Sequence, residues 1–212
     1  MQTQGHMILN LGLLGRRQHP ALNGPILLGA LYPDVGLFGF YVWTRVIQGL
    51  PDREIWQTTY FLPGWQSIFG AFHSIPLALG LLGLAWVGRR WAVLRSWAKP
   101  IATSHTAEDI ATPIADKLAA FSGAAVLHCL EDLPLHHDDG HQHFWPLSTF
   151  RFESPVSYWD RNHHAVWGAG AELVLVLGAS YFVWHRTRSR WGRALLLLSG
   201  TVYCAAYTTY FF

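Results

Sequence analysis

The sequence predicts an all-α protein, a polytopic membrane helical bundle of about five helices with a short N-terminal half-helix. Three observations carry that prediction. Apolar runs close to bilayer-spanning length recur along the chain. Lys and Arg collect between alternate runs, and Trp gathers at the ends of the runs. Composition agrees, since 51% of the 212 residues are hydrophobic and only 13% are charged, about half the charged fraction of a soluble domain.

Residues 5–15 are apolar but too short to span, and His6 and Asn10 interrupt them. They are expected as a half-helix packed on the others. The predicted spans are 21–46, with Pro33-Asp34 in its middle; 68–87; 118–135, with His128, Glu131 and Asp132 near its end; 165–184, with the single acid Glu172; and 194–212. Residues 48–66 and 136–164 read as loops on one side and 89–117 as a polar loop on the other, with a short amphipathic helix an open alternative within 98–117, all within a single domain, 1–212. No basic leader, apolar stretch and small-residue cleavage site occur in signal-peptide order, so Met1 is expected near the mature start. Cys129 and Cys204 lie in apolar segments, and a disulfide between them is neither required nor ruled out.

Orientation follows from the basic clusters. Arg16 and Arg17; Arg89, Arg90, Arg95 and Lys99; and Arg186, Arg188, Arg190 and Arg193 all fall on one side, which should be cytoplasmic. Nine of the 12 histidines then fall in the opposite half; the exceptions are His19, His105 and His185. The orientation uses Lys and Arg alone, so this sorting of histidine is independent of it.

The sharpest local pattern is His128 with Asp132. An i, i+4 spacing puts both on one helical face, where they can share a metal or hydrogen-bond to each other. His136 would extend the stripe if the helix runs through Pro134. Asp34 stands in mid-span, where a carboxylate costs roughly 3 kcal/mol and needs partners inside the protein. Glu172 raises the same question, with pairing to a neighbouring helix as its bland answer. Several separate segments thus deliver His, Asp or Glu to similar depth, which points to metal or acid–base chemistry. A formal net charge of +2 indicates no pull toward nucleic acid. No Gly-x-Ser-x-Gly elbow or phosphate-cradling Gly-rich loop is present.

At these residues the chain resembles the bacterial membrane-bound metal-dependent hydrolase-like family of small inner-membrane proteins. The resemblance runs through Gly5-His6-Met7, Gly29-Ala30-Leu31-Tyr32-Pro33-Asp34, Phe72-His73-Ser74, Leu127-His128 to Asp132, Phe144-Trp145-Pro146-Leu147-Ser148 and Ser154 to Asp160. It implies a metal site drawn from His6, Asp34, His73, His128 and Asp132. Pro33-Asp34 is followed by Val35-Gly36 where many relatives carry a second acid. The leading expectation is therefore a hydrolase at the outer face of the inner (plasma) membrane, using a divalent metal, Zn²⁺ ahead of Mn²⁺ or Fe²⁺. In it His136, Asp138 or Asp139 serves as general base or orients the ligands, and the substrate is a lipid or lipid-linked ester or phosphoester. The alternatives are an accessory or scaffold subunit docked on other membrane subunits, and, with less support, a proton or metal transporter using Asp34, Glu172 and His128.

Overall fold

A computed structural model describes residues 1–97 and 107–212. Among the described residues there are helices, turns and loops but no strand, so the all-α class holds. Four helical runs are long and apolar enough to cross a membrane: Pro20–Ile47, Pro63–Leu94, Ala165–Arg186 and Arg190–Phe211.

The N-terminal stretch forms α1 (Thr3–Leu14). The first long run is segmented into α2 (Asn23–Leu31), a 3₁₀ turn Tyr32–Asp34, α3 (Val35–Tyr41) and a π-helical end Val42–Ile47. Pro33 causes the first break, because it has no N–H to donate to the helix ladder. The expected 68–87 span is likewise two helices, α5 (Pro63–Phe72) and α6 (Ile75–Trp97). The joint is His73-Ser74, where Ser74 Oγ accepts from Leu77 N at 3.1 Å and so caps α6.

Residues 48–66 are not a plain loop. Pro51 leads into α4 (Asp52–Gln57), whose acids Asp52 and Glu54 suit a helix N-terminus, and a 3₁₀ turn, Thr59–Phe61, follows. The 89–117 loop is also corrected. Helix α6 runs on to Trp97, and α7 (Ala107–Asp132) begins well before the expected span. Arg, Trp, Ala and Leu after residue 88 all tolerate helix, so polarity alone did not end it. Residues 98–106, with Lys99 and His105, lie outside the described residues. The 118–135 segment is not among the four long apolar runs; Asp116 and Lys117 before it and Glu131 and Asp132 at its end shorten the apolar stretch. The last helices are α8 (Ala165–Arg186) and α9 (Arg190–Phe211), the latter capped by Ser189, whose side chain accepts from Gly192 N. Residues 136–164 hold no α-helix, only a 3₁₀ turn at Arg161–His163.

The helices pack in the order α6, α7, α2, α1, α8, α9, with α1 also touching α7. The α2–α7 contact is close: a Cβ on Gly29 would stand 2.1 Å from the Phe121 carbonyl oxygen, so only glycine fits there. Small residues such as Ala30 and Ala124 fill the same seam beside Ile26. A second core joins α1, α8 and α9 through Ile8, Val176 and Tyr203, and an aromatic one gathers Phe40, Ile55, Tyr60 and Phe69. On α8 and α9 large apolar side chains point outward, Trp167 at 78% and Trp191 at 82% exposure among them, as expected of surfaces that meet lipid rather than water. Cys129 and Cys204 are free thiols.

Candidate metal centre

The site is built where α1, the 3₁₀ turn of Asp34, the α5–α6 joint and the end of α7 meet. Helix α7 supplies His128 and Asp132 one turn apart, both buried. Their spacing brings His128 Nε2 within 3.1 Å of Asp132 Oδ2. Pro33 turns the chain so that Asp34 points into the same space, with its Oδ2 accepting from Thr3 Oγ1 at 2.5 Å. Asp34 Oδ1 lies 3.6 Å from His128 Nε2 and 3.7 Å from His73 Nε2. His73 Nε2 is also 3.7 Å from Asp132 Oδ2. From α1, His6 reaches Asp132 Oδ1 through Nε2 at 2.9 Å and Glu131 Oε2 through Nδ1 at 2.7 Å. The Met1 amino nitrogen lies 2.9 Å from Asp132 Oδ1 and 3.0 Å from His136 Nε2.

Two hydrogen bonds decide how this space can be used. His128 Nδ1 meets the Ala30 carbonyl at 2.6 Å, and His73 Nδ1 meets the Phe69 carbonyl at 3.2 Å. A carbonyl only accepts, so each neutral ring carries its proton on Nδ1 and presents the Nε2 lone pair to Asp34 and Asp132. Both Nε2 atoms are buried without a hydrogen-bond partner. A buried polar atom left unsatisfied costs about 1–3 kcal/mol, and here two lone pairs face carboxylate oxygens. A divalent cation removes that conflict. Its ligands would be imidazole nitrogens held by backbone carbonyls and carboxylates held by side-chain donors, the arrangement that orients ligands in metal proteins. The donor set therefore fits a metal.

Three overlapping groups of potential ligands occur: His6, His128 and Asp132; Asp34, His73 and His128; and His73, Asp132 and His141. Within each, the candidate ligand atoms lie within 4.8 Å of one another, and every member is buried. The buried cluster can hold a divalent metal ion.

All five residues named above as ligands, His6, Asp34, His73, His128 and Asp132, meet in this cluster. His136 lies beside it. Helix α7 stops at Asp132, since Pro134 cannot continue it, yet the chain turns back and leaves His136 Nε2 3.3 Å from Asp132 Oδ1. His136 Nδ1 bonds Asp139 Oδ2 at 2.9 Å, and Trp159 Nε1 donates to the same oxygen at 2.9 Å. Burial opposes charge on His136, but Asp132 and Asp139 outweigh it and hold its pKa above the usual imidazole value. Burial likewise opposes charge on Asp139, and His136 with Trp159 still keeps its carboxyl below the usual range. Asp138 is different: it is exposed, and its side chain is not brought to the cluster.

Three residues in or beside the site were not assigned from the sequence. His141 is buried and stacks on His73 with ring centroids 3.7 Å apart. His143 is buried with both ring nitrogens unpartnered, and burial with His73 nearby lowers its pKa to about 4. Glu131 holds His6. Its signal was present, three residues after His128 on the same helix; the two histidines sit in a loop with no period to read. His137 and His163 stack on each other at 3.6 Å, and neither belongs to the three ligand groups. Glu172 accepts from Gln2 N at 2.8 Å and Tyr203 Oη at 3.0 Å, and is a partnered structural acid.

A cavity of about 250 Å³ opens onto the cluster and is lined by Thr3, Asp34, Asp132, His136, His141 and Tyr158, among others. A second, of about 360 Å³, shares Gln2 and Tyr158 with it and is walled by Trp159, Tyr203, Tyr207, Tyr210 and Phe211.

Compared with protein-family models, curated proteins and solved structures, the chain finds no match.

Proposed function

We propose that the chain is a membrane-embedded, divalent-metal-dependent hydrolase of a lipid or lipid-linked ester or phosphoester. The observation that carries the reading is the pair of buried, unpartnered Nε2 atoms on His73 and His128 facing Asp34 and Asp132, and those two carboxylates line a cavity. A bound divalent cation supplies Lewis acidity to the scissile ester or phosphoester and lowers the pKa of water. The mixed imidazole–carboxylate donors favour Zn²⁺ over Mn²⁺ or Fe²⁺.

The chain's own residues divide the remaining work. His73, His128, Asp34 and Asp132 would be the core of the metal-holding cluster, with His6 and His141 at its edges. Asp139 fixes the His136 ring through Nδ1, and Nε2, shared with the Met1 amino nitrogen at 3.0 Å, lines the cavity as the group that takes a proton from the attacking water and returns it to the leaving alcohol. Hydrolysis then balances: one ester bond breaks, and water is divided between acid and alcohol. The aromatic cavity beside Tyr158 suits the apolar portion of such a substrate.

The basic clusters of Arg16, Arg17, Arg89, Arg90 and Arg186 support a cytoplasmic placement of the opposite end. The centre would then face outward from the bacterial inner membrane. The likeness of the His6, Asp34, His73 and His128–Asp132 segments to the membrane-bound metal-dependent hydrolase-like family supports the same reading.

The test is hydrolysis of a panel of fluorescent lipid esters and phosphoesters in mixed micelles. Turnover that a chelator stops, that Zn²⁺ restores and that Asp132→Asn lacks supports the proposal. Metal retained with no turnover of any panel member favours an accessory or scaffold role instead.

A further inference from the structure

We propose that the cluster holds two divalent cations, with Asp132 spanning them. The inference rests on the metal reading above and extends it.

Six buried side chains converge as potential ligands, His6, Asp34, His73, His128, Asp132 and His141, whereas one zinc ion takes three or four protein ligands. Five of the six fall into two groups of mutually close ligand atoms, His6, His128 and Asp132 in one and His73, Asp132 and His141 in the other, which share only Asp132; the third group, Asp34, His73 and His128, links one histidine of each. Each group contains a face-to-face imidazole pair. His6 lies on His128 with ring centroids 3.6 Å apart and planes 17° apart, and His73 lies on His141 at 3.7 Å and 23°. The stacking holds the two rings of each pair side by side at the cluster.

The carboxylates stand between the pairs. Asp132 turns Oδ1 toward His6 at 2.9 Å and Oδ2 toward His128 at 3.1 Å and His73 at 3.7 Å. Asp34 Oδ1 is almost equidistant from one imidazole of each pair, 3.6 Å from His128 and 3.7 Å from His73. An acid that faces a member of both pairs occupies a bridging position. Charge agrees. Four carboxylates, Asp34, Glu131, Asp132 and Asp139, meet the cluster or its histidines. Among the described residues no Lys or Arg side chain pairs with any of them, although the Met1 amino group meets Asp132. The Met1 amino group and His136 offset part of that charge, and the remaining carboxylates keep the cluster attractive to cations. Paired ions of this kind clamp both the attacking and the leaving oxygen in ester and phosphoester displacement.

The experiment is metal counting on the full chain purified in detergent, loaded with Zn²⁺ and desalted, with size-exclusion profiles to show that each variant stays folded. Two zinc ions per wild-type chain are expected, about one in His141→Ala, about one in His6→Ala and fewer than one in Asp132→Asn. Mn²⁺-loaded wild type should give an exchange-coupled paramagnetic resonance spectrum rather than that of an isolated ion. One ion in the wild type, unchanged in His141→Ala, would overturn the second ion and leave the metal reading intact. No ion at all would overturn both. Two ions persisting in Asp132→Asn would also overturn the inference, because the spanning residue would then be dispensable.

Discussion

Glu172 and Asp132 are both carboxylates at 1–2% exposure inside the helical bundle, and their neighbours are of opposite kinds. Glu172 receives hydrogen bonds from Gln2 N and Tyr203 Oη, neutral donors that satisfy its acceptor oxygen. The Oδ2 edge of Asp132 faces the lone pairs of His128 and His73, whose protons are spent on the Ala30 and Phe69 carbonyls. Depth and residue type alone therefore do not separate a structural acid from a functional one. The protonation pattern of the groups around it does.

The contrast can be broken most sharply by removing one charge from each side. Asp132→Asn is expected to weaken metal binding by at least about 100-fold, more than is typical for residues that merely orient a ligand, measured by competition with a chelating dye. Glu172→Gln should leave that affinity unchanged. Equal losses in the two variants would erase the distinction.

Metal removal comes next. An ion present at 100 times its dissociation constant stabilises a fold by about 2.7 kcal/mol, so chelation should lower the wild-type thermal midpoint by roughly 5–10 °C. Asp132→Asn should show no such shift. Gly29→Ala tests the scaffold that carries His128. Its Cβ would meet the Phe121 carbonyl oxygen, and overpacking of this kind costs about 1–3 kcal/mol. Because α2 also supplies the Ala30 carbonyl, metal affinity should fall along with thermal stability. Asp139→Asn should keep the metal and lower turnover by about 10-fold, as expected for a residue that orients another. The smallest effect belongs to Tyr203→Phe, which removes one donor from Glu172 and should cost about 1 kcal/mol in denaturation with metal content untouched.

How much of this was legible in the sequence depended on whether a period was available. His128 and Asp132 could be paired because a helix fixes where residue i+4 points. Asp34 stood out as an acid after a proline in an apolar run, and Glu172 as an acid in another, although only coordinates separate their roles. His141 could be sorted to the outer half but not assigned to the site. It belongs to a loop whose path is set by distant ties, Ser154 N to the His136 carbonyl at 2.9 Å and Tyr158 N to the Leu135 carbonyl at 3.0 Å. Glu131 read as a helix-end charge because its partner, His6, comes from α1. The polar stretch after residue 88 was misread as loop because Arg and Trp, which signal an interface, also sustain a helix through Trp97.

The most direct measurement is zinc K-edge X-ray absorption on the purified, metal-loaded chain. The predicted spectrum has nitrogen and oxygen neighbours only, at about 2.0–2.2 Å, with the outer-shell scattering of imidazole that collapses in His128→Ala. A sulfur neighbour at about 2.3 Å, or a wild-type spectrum that matches hydrated zinc, would contradict a centre built from His73, His128, Asp34 and Asp132.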